Sequence, residues 1–148
     1  PSCELNILEE SGDFFGFPYL HAQDVIDPEF GEYDHGYEIK KPVLDLGPHV
    51  APTGIEFYTG NLFPNEFKNN AFITLHGSWN SSKKVGYKVI RVVFDEDGQP
   101  ISNSDFISGF LDGEKVIGRP AAPLMLSDGS LLISDDYANQ IYRVKRVL

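Results

Sequence analysis

Two strand-like sequences recur in the same order along this chain, and this internal repeat restricts the possible folds more than any other feature. Ile-Thr-Leu-His at residues 73–76 resembles Leu-Ile-Ser-Asp at residues 132–135, and Val-Ile-Arg-Val at residues 89–92 resembles Ile-Tyr-Arg-Val at residues 141–144. The copies lie roughly 50 residues apart, which is the length of one four-stranded propeller blade. A β-sandwich also supplies short strands, but it does not predict the recurrence.

Eight short segments have the composition of β-strands, because each is rich in apolar residues and is bounded by Gly, Pro, Asn or Asp. They are residues 43–46, 55–58, 71–76, 87–94, 105–110, 123–126, 131–134 and 140–147. No window shows helical periodicity apart from a short turn at residues 64–68. The sequence therefore predicts an all-β fold, with residues 1–41 as an irregular connecting segment and residues 42–148 as about two four-stranded blades.

Two Asp-Gly turns join predicted strands. Asp-Glu-Asp-Gly at residues 95–98 ends a long strand, and Ser-Asp-Gly at residues 127–129 connects two short ones. Glycine accepts the positive φ that tight hairpin turns require, so both sequences predict hairpins. The first is not a helix-loop-helix calcium loop, because its twelfth position is Phe106 and not an acidic residue.

Composition and charge exclude several classes of partner. A net charge of −10 repels phosphate backbones, so we expect no nucleic-acid binding. No apolar run approaches the roughly 18 residues of a membrane-spanning helix, so no membrane partner is expected. The single cysteine, Cys3, excludes an internal disulfide and a thiolate zinc site. The chain opens at Pro1 without a signal-peptide pattern, and we expect a mature chain or a fragment.

The length of 148 residues also limits the number of blades. At roughly 40–50 residues per blade, the chain holds at most about three. Closed propellers typically have about 4–8 blades, and a blade cannot bury both of its faces alone. We therefore expect the ring to be completed by N-terminal blades of a longer protein or by a second chain.

Four basic side chains are predicted to lie on one face of the blades. In an antiparallel blade, the loop that enters the first strand and the loop between the second and third strands lie on the same face. These loops carry His49, Lys83 and Lys84, and the loop into the next blade carries Arg119. A cationic cluster in an acidic protein suggests an anionic ligand such as a carboxylate. Each residue alone also fits a solvated loop or a surface ion pair.

Five blocks of sequence, in order and spanning nearly the whole chain, resemble the soluble quinoprotein glucose/sorbosone dehydrogenase family. The blocks are Glu-Leu-Asn at 4–6 with Phe-Gly-Phe-Pro-Tyr at 15–19 and Asp-Pro-Glu-Phe at 27–30, Leu-Gly-Pro-His-Val-Ala-Pro at 46–52, His-Gly-Ser-Trp-Asn at 76–80 with Lys-Lys-Val-Gly-Tyr at 83–87, Gly-Glu-Lys-Val at 113–116 with Gly-Arg-Pro at 118–120, and Ser-Asp-Asp-Tyr at 134–137. The resemblance implies a six-bladed β-propeller, of which this chain is the C-terminal two to three blades. It also implies a periplasmic or secreted oxidoreductase that uses pyrroloquinoline quinone (PQQ) and calcium to oxidise aldose sugars to lactones.

The resemblance assigns cofactor roles residue by residue. Lys84, or Lys83 if the loop is shifted by one position, matches a lysine that contacts the quinone. Arg119 matches the first of a pair of arginines on the quinone, and His49 matches a polar side chain close to it. PQQ carries three carboxylates, so it is an anionic ligand of the kind that the cationic cluster predicts.

Calcium ligands are implied at Glu4 and Asp24, whose carboxylate oxygens suit calcium and equally fit solvated surface positions. The chain departs from the family at Ala121, which stands at the second arginine, and at Ala122, which stands at a position that is often acidic.

The family's general-base histidine lies upstream of this chain, and none of the four histidines present matches it. These are His21, His35, His49 and His76. Hydride removal from a sugar without a base is slow, so we expect this chain alone to be inactive. An alternative is a non-catalytic propeller fragment or binding module in which the cofactor site has decayed. A third reading, a lactonase-type hydrolase, would use Asp135 and Asp136.

Overall fold

A computed structural model describes residues 1–146, and within them almost all regular structure is β-strand. The chain divides into two compact units, Pro1–Pro48 and His49–Leu148. Within the described part of the chain, none of the sheets closes on itself, and the predicted all-β class is confirmed. Within residues 1–146, no helix has the length and apolar character needed to cross a membrane.

The first unit is built from short strands and aromatic contacts. Its strands are β1 (Ser2–Leu5), β2 (Leu20–His21), β3 (Val25–Ile26) and β4 (Leu44–Pro48). β1 pairs with β4 and β2 pairs with β3, both antiparallel. The Tyr19 ring stacks on the His35 ring at a centroid distance of 4.5 Å. The segment predicted as irregular therefore contains three short strands, too brief for their alternation to be read from sequence.

The first sheet of the second unit has four strands in chain order. They are β5 (Pro52–Phe57), β6 (Ala71–Leu75), β7 (Lys88–Phe94) and β8 (Pro100–Ile107), all antiparallel. The predicted turn at residues 64–68 contains a single 3-10 turn, Asn65–Phe67. Strand β8 begins five residues before the predicted position, because the Asp-Gly turn is tight and Pro100 already pairs with Phe94.

The second sheet repeats this arrangement with three strands within residues 1–146. A small hairpin of β9 (Leu111–Asp112) and β10 (Lys115–Val116) precedes it. The sheet itself contains β11 (Pro120–Met125), β12 (Leu131–Asp135) and β13 (Gln140–Val144). β13 ends earlier than the predicted segment 140–147, whose residue Val147 lies outside the described residues. The two copies of the repeat thus occupy equivalent second and third strands.

One hydrophobic core joins the two sheets of the second unit. Its buried members are Tyr58, Phe63, Phe72, Val89, Leu131 and Ile133. The first strands of the two sheets lie close together, since a Cβ on Gly54 would come within 2.7 Å of Pro123 Cδ. The hydroxyl of Thr74, which is fully buried, donates to the Ala121 carbonyl oxygen at 2.9 Å across the same junction. This packing fixes the loops at the ends of the strands.

Candidate functional site

The predicted basic residues lie at one end of the two sheets in the second unit. Pro52 pairs with Leu75, and Leu75 pairs with Lys88, so β5 and β7 begin where β6 ends. In the second sheet, Pro120 pairs with Asp135, so β11 begins where β12 ends. We name this end, with His49, Lys83, Lys84 and Arg119, the cationic edge.

Arg119 joins the two sheets at the cationic edge. Its Nε donates to the carbonyl oxygen of His76 at 3.1 Å, and its Nη2 donates to the carbonyl oxygen of Gly77. The guanidinium carbon lies 5.4 Å from the centre of the Tyr87 ring, which allows a cation–π contact. These contacts hold the half-buried guanidinium in one place and use only part of its hydrogen-bonding capacity.

His49 is placed beside the loop between β6 and β7 by the backbone hydrogen bonds of the two residues that follow it. The residue after it, Val50, is buried, and its carbonyl oxygen accepts the Gly77 N–H at 2.9 Å. The carbonyl oxygen of Ala51 accepts the His76 N–H at 2.9 Å. His49 itself is exposed and has a φ of 61°, a left-handed backbone conformation that is uncommon for a residue other than glycine.

The loop from β6 to β7 carries the two lysines, and they differ in their surroundings. Lys84 is half-buried; its N–H donates to Glu114 Oε2 at 3.0 Å, and its Nζ lies 3.9 Å from the same oxygen. Lys83 is exposed. The position of Lys84 is thus defined by a residue of the β9–β10 hairpin, and this favours Lys84 over Lys83 as the better-positioned cation.

His76 pairs with an acidic residue of the second sheet. Its Nε2 lies 2.8 Å from Asp136 Oδ1. Because the His76 carbonyl oxygen is also bound by Arg119, both its backbone and its side chain connect the two sheets. His76 is thus a structural residue at the end of β6.

Asp135 organises the turn that follows β12. It is 2% exposed, and its Oδ1 accepts the N–H groups of Arg119, Tyr137 and Ala138, while its Oδ2 accepts the Tyr142 hydroxyl. Burial alone raises the pKa of Asp135, but the hydrogen bonds outweigh it and the pKa is lowered. Burial and the bond to Asp135 raise the pKa of Tyr142. A carboxylate with both oxygens engaged in this way is a poor candidate for the hydrolase role.

The proposed calcium ligands lie in the first unit. Glu4 already uses both oxygens, since Oε1 accepts the Ala22 N–H at 2.6 Å and Oε2 accepts from Asn6 Nδ2 at 3.2 Å. Asp24 is exposed. Within residues 1–146, no group of three or more His, Cys, Asp and Glu side chains is placed to hold a metal ion.

His21, to which the sequence assigned no role, is paired with Asp27 in the first unit. Its Nε2 lies 2.8 Å from Asp27 Oδ2. This bond, together with the N–H groups of Phe30 and Glu29, lowers the pKa of Asp27. Asp27 also begins the turn that follows β3, so the pair has a structural use.

Sequence reasoning missed two residues beside the cationic edge, Tyr87 and Glu114, and gave Asp135 a different role. Tyr87 has a φ of 56° and donates its hydroxyl hydrogen to the Ser78 carbonyl oxygen, neither of which a sequence pattern indicates. Glu114 contacts Lys84 across 30 residues. Only Asp135 carried a local signal, because an Asp at a strand end commonly accepts backbone N–H groups of the following turn.

Comparison with known proteins places this arrangement in a family. The sequence model of the family described as TrAA12-like matches residues 29–146. An uncharacterized protein of Borreliella burgdorferi is 40% identical over 149 residues, which cover 97% of this chain and 39% of that protein. A pyrroloquinoline quinone-dependent pyranose dehydrogenase of Coprinopsis cinerea is 28% identical over 93% of this chain.

Two solved structures are similar. The holo form of the PQQ domain of the Coprinopsis cinerea pyranose dehydrogenase matches 73% of this chain and 30% of its own length, with a TM-score of 0.58 and 28% identity. The calcium structure of a family AA12 enzyme of Trichoderma reesei matches 97% of this chain and 42% of its own length, with a TM-score of 0.64 and 23% identity, which shows the fold alone.

The relatives are much longer than this chain. It spans 39% of the Borreliella protein and 21% of the Coprinopsis enzyme. The family match nevertheless includes all strands of the second unit and every residue of the cationic edge. The chain therefore belongs to the TrAA12-like family.

Proposed function

We propose that this chain is part of a PQQ-dependent oxidoreductase that oxidises aldose sugars to lactones, and that the cationic edge binds the cofactor. The observation that carries the proposal is the position of Arg119, which is fixed by two carbonyl groups while part of its guanidinium remains free. The PQQ-dependent Coprinopsis relative supports the choice of cofactor. Bound PQQ supplies an electrophilic quinone that accepts a hydride from the sugar.

The residues of the cationic edge fit an anionic cofactor. Arg119 has five N–H donors, and its hydrogen bonds to His76 and Gly77 use two of them. The Nζ of Lys84 is 3.9 Å from Glu114, which is too long for a hydrogen bond, so its three donors remain available. Charge-assisted hydrogen bonds from such donors to carboxylates are roughly twice as strong as neutral ones.

Each residue has a separate task in this proposal. Arg119 orients a carboxylate through its planar donors, while Lys84 contributes a positive charge from the neighbouring loop. His49 lies beside the same loop and supplies a polar side chain at its edge. Oxidation of the sugar also removes a hydroxyl proton, and we assign that proton to a base on another segment or a second chain.

We also propose that calcium accompanies the cofactor, with Glu4 and Asp24 among its ligands. The carboxylate oxygens of Glu4 and Asp24 are ligands of the kind that calcium prefers. Calcium takes about 6–8 oxygen ligands, so further ligands would come from outside these two residues. We further propose a six-bladed propeller of which this chain forms the C-terminal blades, in a periplasmic or secreted protein.

A titration of the chain with PQQ and calcium, followed by equilibrium dialysis, tests the cofactor site. We expect saturable binding that weakens at least about tenfold in Arg119→Ala and in Lys84→Ala, because each removes charge-assisted hydrogen bonds. Lys68→Ala is the matched control, since Lys68 is exposed and lies at the opposite end of the first sheet. Absence of saturable binding at millimolar PQQ by folded protein would contradict the proposal, and so would an equal effect of Lys68→Ala.

A non-catalytic binding module is the second candidate. It is favoured by Ala121, which stands where the resemblance places a second arginine and whose carbonyl oxygen accepts the hydroxyl groups of Thr53 and Thr74. The Ala121 side chain is a methyl group, so it contributes no hydrogen-bond donor to the cofactor. Binding of PQQ without sugar oxidation by the assembled protein would favour this second candidate.

A further inference from the structure

We propose that the indole of Trp79 is the surface on which the sugar ring stacks, which makes Trp79 a specificity-determining residue. The inference rests on the proposed function, since it assumes a sugar substrate at the cationic edge. Trp79 is 87% exposed, the highest value among the large apolar side chains of the described residues. It lies in the loop between β6 and β7, which also carries Lys84.

The backbone beneath Trp79 is rigidly held. The preceding residue, Ser78, is buried, and its N–H donates to the Val85 carbonyl oxygen at 2.9 Å. The Ser78 hydroxyl oxygen accepts the Val85 N–H at 3.2 Å, and the Ser78 carbonyl oxygen accepts the Tyr87 hydroxyl. The indole is therefore presented from a fixed loop base, and a stacking surface held in this way loses little conformational freedom on binding.

Trp79 also lies close to the group that is proposed to hold the cofactor. Arg119 Nη2 donates to the carbonyl oxygen of Gly77, which is two residues before Trp79. Two residues span at most about 7 Å, so the indole is within side-chain reach of a ligand bound to Arg119. A substrate that reacts with the cofactor must occupy the same neighbourhood.

The relative exposure of the side chains favours the sugar over the quinone as the stacking partner. Arg119 and Lys84, which would hold the anionic cofactor, are both half-buried, whereas Trp79 extends into solvent. We therefore assign the cofactor to these two cations and the indole to the substrate. The C–H face of a pyranose ring is apolar and matches the indole face, and the indole N–H can donate to a hydroxyl group.

Kinetics of the assembled protein, in which this chain is combined with the segment or second chain that supplies the base and is loaded with PQQ and calcium, test this inference with Trp79→Ala and Trp79→Phe. We expect Trp79→Ala to raise the KM for the aldose about three- to tenfold and Trp79→Phe to change it less than about twofold, because phenyl rings retain stacking. The PQQ dissociation constant should stay the same in both variants. A weaker PQQ affinity in Trp79→Ala with an unchanged KM would assign the indole to the quinone and overturn the inference.

A binding measurement separates this inference from the proposed function. Saturation-transfer NMR with methyl glucopyranoside, whose blocked anomeric hydroxyl prevents turnover, detects contact between the sugar and the indole. We expect transfer to the sugar ring protons in the wild-type protein and in Trp79→Phe, and its loss in Trp79→Ala. Equal transfer in Trp79→Ala, or none in the wild type, overturns the stacking role. Failure of the assembled wild-type protein to oxidise any aldose instead overturns the proposed function.

Discussion

Arg119 Nε donates a hydrogen bond to the backbone carbonyl oxygen of His76 at 3.1 Å, across 43 positions of sequence. The bond connects the loop that enters β11 with the end of β6, and it belongs to the same guanidinium that binds the Gly77 carbonyl oxygen. A residue proposed for cofactor binding therefore also stabilises the junction between the two sheets. Loss of Arg119 should affect stability even when no ligand is present.

Arg119→Lys is expected to lower the free energy of unfolding by about 1.5–3 kcal/mol, because an ammonium group does not reproduce two directed bonds from one planar guanidinium. Urea unfolding followed by far-ultraviolet circular dichroism measures the change. Arg146→Lys is a suitable control, since Arg146 is exposed. Equal destabilisation by the two substitutions would show that the carbonyl contacts of Arg119 contribute nothing specific.

Tyr58→Phe should destabilise the second unit by about 2–3 kcal/mol, because it removes a buried hydroxyl that has three partners. The Tyr58 hydroxyl donates to the Gly129 carbonyl oxygen at 2.9 Å and accepts the N–H groups of Leu62 and Phe63. Tyr33→Phe, at a ring that is 62% exposed, should leave the urea midpoint unchanged. Similar midpoints for both variants would mean that water replaces the lost partners without cost.

The parts of the fold that depend on local signals could be predicted from the sequence. The Asp-Gly turn after β7 is confirmed, with Gly98 at a φ of 78° and Asp95 Oδ1 accepting the N–H groups of Asp97 and Gln99. The repeat also predicted that β6 and β12 take the same place in their sheets. Such features are readable because turn geometry and strand alternation depend on neighbouring residues.

The contacts that shape the cationic edge could not be predicted in this way. Arg119 reaches Gly77 over 42 positions, and Lys84 contacts Glu114 over 30. The sequence predicted that these side chains lie on one face. It did not predict which partner each side chain contacts, because that depends on how the two sheets pack. The positive φ of Tyr87 is likewise a tertiary effect, since a non-glycine residue rarely adopts it without support from its surroundings.

Asp135→Asn should reduce stability near pH 7 and have little effect in acid. The pKa of Asp135 is lowered in the folded state, so its charged form contributes stability that is present above about pH 4 and is lost as the pH falls toward the folded value. We expect a loss of about 1–3 kcal/mol at pH 7, because the amide nitrogen cannot accept the Tyr142 hydroxyl. Urea unfolding at pH 7 and pH 3 measures the difference.

The matched control for that experiment is Asp112→Asn, at an exposed position of β9. It should show no pH-dependent difference from the wild type, because an exposed carboxylate has little to lose on protonation. If Asp135→Asn and the wild type differ by the same amount at both pH values, the ionised carboxylate does not stabilise the turn after β12.

Gly54→Ala tests how closely the two sheets approach each other. A Cβ at this position would lie 2.7 Å from Pro123 Cδ and 3.0 Å from Ala122 Cα, so β5 and β11 would have to separate. We expect a loss of about 1–3 kcal/mol, as is typical of overpacked interiors. Gly109→Ala is the control, because its added Cβ meets nothing within 4 Å and costs only the strain of a φ of +96°.

The Gly54→Ala substitution should also weaken PQQ binding at the neighbouring cationic edge. The Ala121 carbonyl oxygen, which accepts the Thr74 hydroxyl, lies 3.1 Å from the Cβ added at Gly54, so separation of the sheets disturbs this contact. If Gly54→Ala is no more destabilising than Gly109→Ala and PQQ affinity is unchanged, the two sheets accept an added methyl group without separating, and their packing does not position Arg119.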